Sequence, residues 1–223
     1  MKKSLGYKIL RHMMGYFRDI ISRTSCLIKD ISQTFKEHYL ERKLNISTNE
    51  LYFVKDKFGL YKIDQSYCPA PYYLLEKIIN CLKLKPEDIF IDLGCGKGRV
   101  VFFVAQKKLR KVIGIELNKE FIDIANKNLA TFKFDRTPIQ FVHEDAAKFR
   151  IKDENIFFMF NPFGCKTIQC VINNIKNSLI DNPRQIRIVY LHPWCRSLLD
   201  DQDWLILEKS MFDGQCLIWY NKH

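Results

Sequence analysis

The chain has 223 residues, 47% of them hydrophobic, and a formal net charge of +11. That length suits one full α/β domain with a modest extension, and the apolar content argues against global disorder. No apolar run approaches the ~20 residues that cross a bilayer, and the basic start Met1-Lys2-Lys3 leads into no signal-peptide pattern.

Charge is unevenly spread. Residues 1–44 hold ten Lys or Arg against four acids, a bias that attracts phosphate-rich partners or anionic membranes without specifying either. Leu10, Met14, Phe17, Ile21, Ile28, Ile31 and Phe35 recur at helical spacing between these charges. Residues 1–47 are therefore expected to form a basic, amphipathic helical extension, and residues 48–223 the main domain. The extension's apolar face either packs on that domain or docks on a partner or membrane surface.

Leu51–Val54 and Leu60–Ile63 flank Asp56-Lys57-Phe58-Gly59 and read as a hairpin. The loop Tyr67-Cys68-Pro69-Ala70-Pro71 follows, held extended by two prolines. Leu75, Ile78, Ile79 and Leu82 then mark one face of a helix.

From residue 88 strands and helices alternate. Buried-type strands are expected at Ile89–Asp92, Val112–Glu116, Ile139–His143, Ile156–Asn161 and Ile186–Leu191, with helices at about 98–107, 118–131 and 166–180. Trp204–Glu208 and Cys216–Tyr220 flank Asp213-Gly214 as an antiparallel hairpin. Such alternation builds a mostly parallel sheet covered on both faces. Eight cysteines, at positions 26, 68, 81, 95, 165, 170, 195 and 216, include no C-x-x-C pair. They read as scattered reduced thiols of a cytoplasmic protein, with no metal site expected.

The chemistry-bearing positions fall at strand ends. Asp92-x-Gly94-Cys95-Gly96-x-Gly98 follows an apolar strand and opens a helix; glycines there let the backbone turn sharply and approach a ligand. The spacing lacks the two-residue gap before the third glycine of the dinucleotide fingerprint. Glu116 ends the second strand, where an acid can accept from both hydroxyls of a ribose. Asp145 follows the third strand and could accept from an adenine amine. Asn161-Pro162-Phe163-Gly164 closes the fourth, where ligands of open α/β sheets bind; the Asn161 amide oxygen could orient an amine, and Phe163 could pack on it. His192, in His192-Pro193-Trp194, is either a general base or structural. Tyr67 could cover a cofactor, its ring face attracting a cation.

With these residues the chain resembles, from about residue 66 onward, the class I S-adenosylmethionine (SAM)-dependent methyltransferases. Asp92-Leu93-Gly94-Cys95-Gly96-Lys97-Gly98 looks like that family's first motif, Glu116 like its ribose-binding acid and Asp145 like its adenine-binding acid. The resemblance implies a Rossmann-like, doubly wound seven-stranded sheet in the order 3-2-1-4-5-7-6, with the penultimate strand in space antiparallel. It implies SAM as cofactor, held by Tyr67, Asp92, Gly94, Cys95, Gly96, Gly98, Glu116, Asp145 and Asn161. It places Asn161, Pro162 and Phe163 at the methyl-transfer mouth.

Within the class, the proline loop and Phe90–Arg99 are most similar to the non-SET protein-lysine methyltransferases, although Cys95 departs from the serine common there. A protein lysine is thus the expected acceptor, nucleic acid or a small molecule the alternative, and a SAM-binding module without catalysis a third reading. Localisation is expected to be cytoplasmic, with peripheral membrane contact through residues 1–44 as a variant of that expectation.

Overall fold

A computed structural model describes residues 33–52, 67–134, 137–160 and 162–222. The chain divides into two units, Met1–Leu40 and Glu41–His223. In the first, residues 33–40 are helical; residues 1–32 of the expected extension, and the expected hairpin beyond Tyr52, lie outside the described residues. The second unit opens on helical residues 41–44 (α1).

Element order is then α2 (Tyr72–Leu82), β1 (Ile89–Leu93), α3 (Arg99–Ala105), β2 (Lys111–Glu116), α4 (Lys119–Thr131), β3 (Ile139–His143), β4 (Ile156–Phe160), α5 (Cys165–Asp181), β5 (Arg187–Leu191), α6 (Ser197–Asp200), β6 (Leu205–Met211) and β7 (Cys216–Asn221). The strands form one sheet in the order β3-β2-β1-β4-β5-β7-β6. β1 through β5 run parallel, and β7 is antiparallel to both its neighbours, β5 and β6. This is the order and polarity the sequence resemblance implied.

Side chains on a strand point alternately to opposite faces, and β1 is buried at all five positions. Ile89, Ile91 and Leu93 join Phe157, Met159, Ile188, Tyr190 and Trp219 under the Ile168–Val171–Ile172–Ile175 stripe of α5. On the opposite face Phe90 stacks on Phe158, ring centroids 6.0 Å apart, and α3 packs on β1 and β2. Each fully buried aliphatic or aromatic side chain contributes about 1.5–3 kcal/mol, so the central strands hold the sheet together. The edge strand β6 is mostly exposed and carries Glu208 and Lys209, charges that discourage edge-to-edge pairing.

α2 buries Leu75, Ile78, Ile79 and Leu82, the stripe expected from the sequence. It ends at Lys83 in the left-handed region, φ 48°. α4 is capped by Asn118, whose side chain accepts from the Glu120 amide at 2.9 Å. The parallel arrangement delivers the ends of β1, β2, β3, β4 and β5 to one edge of the sheet, where the candidate residues sit.

Candidate functional site

The loop after β1 is built for close approach. Gly94, Gly96 and Gly98 have φ of 82°, 53° and 89°. Only glycine enters that region at no steric cost. A Cβ at Gly94 would fall on Pro162 of the β4 loop, and one at Gly96 on the ring of Tyr67. Two segments distant in sequence therefore lie directly on the glycine loop. Gly98 N-caps α3, and Cys95 is buried, its thiol pushed well above its ordinary range by burial and by the charges of Asp92 and Glu116. A thiol so placed fills space and is inert.

Asp92 is almost fully buried. Burial, with the nearby Glu116 carboxylate, raises its pKa well above the ordinary aspartate value. Glu116 accepts from the Gly96 amide at 2.9 Å and from the Asn118 amide at 2.8 Å. The acid expected at a ribose thus also braces the glycine loop. Two carboxylates so close, one of them desolvated, make the strand ends electronegative. A ligand bearing positive charge and hydroxyl groups suits both, and SAM, with its sulfonium, ammonium and ribose, fits that chemistry. Asp145, half-buried past β3, accepts from the Ala147 amide at 2.9 Å.

Tyr67 is buried, its ring against Gly96 and 5.3 Å from the Phe121 ring. Its hydroxyl donates to the Thr48 carbonyl at 2.9 Å, and burial raises its pKa above the ordinary phenol value. The Lys97 ammonium lies 5.1 Å from the ring centroid. The cation on the Tyr67 face is therefore a protein side chain, and the ring's position over Gly96 is what it offers a cofactor.

The neighbouring strand ends form the other side. Pro162 and Phe163 are half-buried, with Phe163 packed on the α5-side core. Asn161, assigned both to the mouth and to the cofactor, lies outside the described residues. His192 is held at φ 52°, its amide donating to the Gln215 carbonyl at 2.6 Å and its ring 5.4 Å from that of Phe160. Backbone bonding and stacking favour its structural reading. Trp194 projects outward, 74% exposed.

A methyltransferase-domain family model matches residues 90–179, and a DNA methylase family model residues 28–127. One relative is the H3 lysine-79-specific histone-lysine N-methyltransferase of Dictyostelium discoideum, 32% identical over 44% of this chain and 6% of the relative. A protein-lysine N-methyltransferase of Saccharolobus islandicus is 34% identical over 28% of this chain and 40% of the relative. An rRNA adenine N-6-methyltransferase of Bacillus licheniformis is 26% identical over 45% and 34%. The chain thus spans less than half the length of each. Among solved structures, precorrin-6y C5,15-methyltransferase of Geobacter metallireducens superposes with a TM-score of 0.54 at 16% identity, over 76% of this chain and 95% of that one. The matched segment and the sheet order agree. Residues 90–179 resemble a class I methyltransferase domain, a class that takes SAM.

Arg99, the residue after the first motif, proves central to this domain. It is buried at the first position of α3, directly after the glycine loop. Its Nε donates to Thr48 Oγ1 at 2.8 Å, Nη1 to the Ala70 carbonyl at 3.3 Å, and Nη2 to Asn49 Oδ1 and to the Glu41 carboxylate at 3.5 Å. The guanidinium also lies 4.6 Å from the Tyr72 ring centroid. Glu41 in turn accepts from the Thr48 amide at 2.7 Å and the Tyr72 hydroxyl at 3.3 Å.

The same arm is tied down further along. Asn128 of α4 exchanges bonds with the Ser47 amide and carbonyl at 2.9 and 3.1 Å, and the Lys97 ammonium donates to the Glu50 carbonyl at 2.9 Å. Residues 41–50 and 67–72 are thereby latched to the glycine loop and bring Tyr67 onto Gly96. No local pattern in Glu41 or Thr48 announces this role.

The cysteine expectation is corrected. Cys165 and Cys195 form a disulfide, Cα atoms 5.6 Å apart. They lie 30 residues apart with no C-x-x-C signature, and only the adjacency of β4 and β5 brings them together. Cys68, Cys81, Cys95, Cys170 and Cys216 are free thiols.

Proposed function

We propose that the chain is an N-methyltransferase that moves the methyl group of SAM to an amine on a protein, a lysine side chain. The observation that carries the acceptor class is the open aromatic rim at the ends of β4 and β5. There Trp194, 74% exposed, follows β5, and the half-buried Pro162 and Phe163 follow the neighbouring β4. A lysine brings a long apolar stem and a cationic tip. An exposed indole suits both, by packing and by cation–π attraction. The two relatives named for lysine methylation support the same reading.

SAM supplies an electrophilic methyl on a sulfonium. The residues then have three tasks. Asp92 and Glu116 match the cofactor's positive and hydroxyl groups. Tyr67, fixed by Thr48 and pressed on Gly96, keeps water from that side. Asn161, Pro162 and Phe163 align the neutral amine for in-line attack, since alignment is the main catalytic requirement of such a displacement.

A second reading, methylation of an exocyclic base amine in nucleic acid, is favoured by the DNA methylase match to residues 28–127, the rRNA relative and the +11 charge. The deciding experiment incubates the full chain with methyl-labelled SAM and a cell lysate. Half is then digested with nuclease and half with protease, and the labelled residue is identified after hydrolysis. Label on lysine that survives nuclease supports the proposal; label confined to nucleotides overturns it.

A further inference from the structure

We infer that the Cys165–Cys195 bond is a thiol-sensitive clamp on the acceptor side of the site, an inference that rests on reading that side as the amine-binding mouth. β4 and β5 are paired in parallel, with Phe160 opposite Leu191. Cys165 lies five residues past Phe160, and Cys195 four past Leu191. Each connecting loop is fixed at one end by the strand ladder and at the other by the disulfide. The loops carry Pro162 and Phe163 on one side, Pro193 and Trp194 on the other. On the cofactor side Gly96, Glu116, Tyr67 and Arg99 are joined by hydrogen bonds and packing that do not involve this bond, and Pro162 reaches across, against Gly94. Opening the disulfide therefore loosens the acceptor loops first.

The two cysteines differ in a way that suits reversible opening. Cys195 is buried with Leu199 and Tyr190 in the core, and its carbonyl accepts from the Leu198 amide at 3.1 Å. Cys165 is exposed and is the first residue of the 17-residue α5, whose N-cap Gly164 offers no side chain. A thiolate at that position meets unpaired amides and the positive end of the helix dipole, which stabilises the reduced state. Stabilising the dithiol makes a disulfide easier to reduce.

A small dithiol acts in two steps. Its thiolate attacks the accessible Cys165 sulfur, breaking the bond to Cys195, which leaves as thiolate and takes up a proton. The reductant's second thiol, deprotonated, then closes on its own first sulfur and expels Cys165 as thiolate. The reductant loses two electrons to form its cyclic disulfide, and the clamp gains them.

The test compares the full-length oxidised protein, the same protein treated with dithiothreitol, and the Cys165→Ser variant. Alkylation followed by mass spectrometry should find Cys165 and Cys195 protected until reduction. Reduction and Cys165→Ser should each lower methyl transfer to lysate protein at least fivefold at subsaturating acceptor. SAM affinity by calorimetry should stay within twofold, and reduction should change nothing further in the variant. Early alkylation of both cysteines, unchanged transfer, or parallel loss of SAM affinity overturns the clamp.

If no protein is methylated in either state, the reading of the mouth fails, and the clamp is then judged by iodide quenching of Trp194 fluorescence, with Trp194→Phe as background. Quenching altered by reduction supports it; unaltered quenching overturns it.

Discussion

Replacing Arg99 with methionine keeps the volume of the side chain and removes its charge and donors. The guanidinium is 3% exposed and its partner Glu41 9%, so solvent screens the pair little. Removing one member of a buried pair costs about 3–5 kcal/mol, because the other charge stays behind in low dielectric. Glu41 would keep the Thr48 amide, the Thr48 hydroxyl and the Tyr72 hydroxyl as donors, which places the expected loss near the lower end, about 3 kcal/mol. For a chain of this size that corresponds to a fall in Tm of about 6–12 °C.

Thermal unfolding followed by circular dichroism measures it, alongside SAM titration of the folded variant. If the arm is latched as described, SAM affinity falls with stability, and adding Glu41→Gln to Arg99→Met restores part of the lost stability by removing the stranded charge. A fall below about 1 kcal/mol, the ordinary range of a surface pair, would refute the latch. So would a double variant that loses the full sum of both single effects.

Asp92→Asn should raise the Tm of the cofactor-free protein at neutral pH and abolish SAM binding. The raised pKa means the folded state holds a proton that the unfolded state releases once pH passes the ordinary aspartate value. Stability therefore falls as pH rises from that value to the raised one, and the substitution removes that loss. An unchanged or lower Tm would contradict the assignment. For the same reason SAM binding to the natural chain should release protons and tighten with rising pH, measured by calorimetry in buffers of different ionisation heat; uptake of protons would reverse the sign and the argument. Gly96→Ala meets the Tyr67 ring at a left-handed φ of 53°, adds about 1–2 kcal/mol of backbone strain, and should weaken SAM at least tenfold; undiminished binding shows that Tyr67 moves freely. Tyr67→Phe keeps the ring but leaves the Thr48 carbonyl without this donor, a stability loss of about 1–3 kcal/mol with SAM affinity changed far less than in Gly96→Ala.

What could be read from the sequence was whatever depends on local pattern. Period-two and continuous apolar runs gave β1, β2, β3 and β4 to within a residue or two, since burial on both faces demands them. α6 escaped notice because four residues carry no periodicity. Asp92, Glu116 and Asp145 could be singled out as candidates because strand ends are where this architecture puts ligands. Arg99 with Glu41 was not, because 58 residues separate them and a buried arginine looks like any other before its partners are known. The disulfide failed for the same reason: Cys165 and Cys195 meet through strand order, which spacing alone does not encode.

The position of β7 has a consequence for how the chain is made. β7 follows β6 in sequence yet lies between β5 and β6, so β6 has no partner in the sheet until its own hairpin folds back. At about 5–20 residues per second, the stretch from Leu191 to Cys216 leaves the ribosome roughly 1–5 s after β5. For that interval the apolar edge of β5 is a bare hydrogen-bonding surface, open to chaperones and to neighbouring nascent chains. Cys165 and Cys195 are already synthesised within it. A bond formed then would fasten β4 to β5 before the strand that finally shields them arrives.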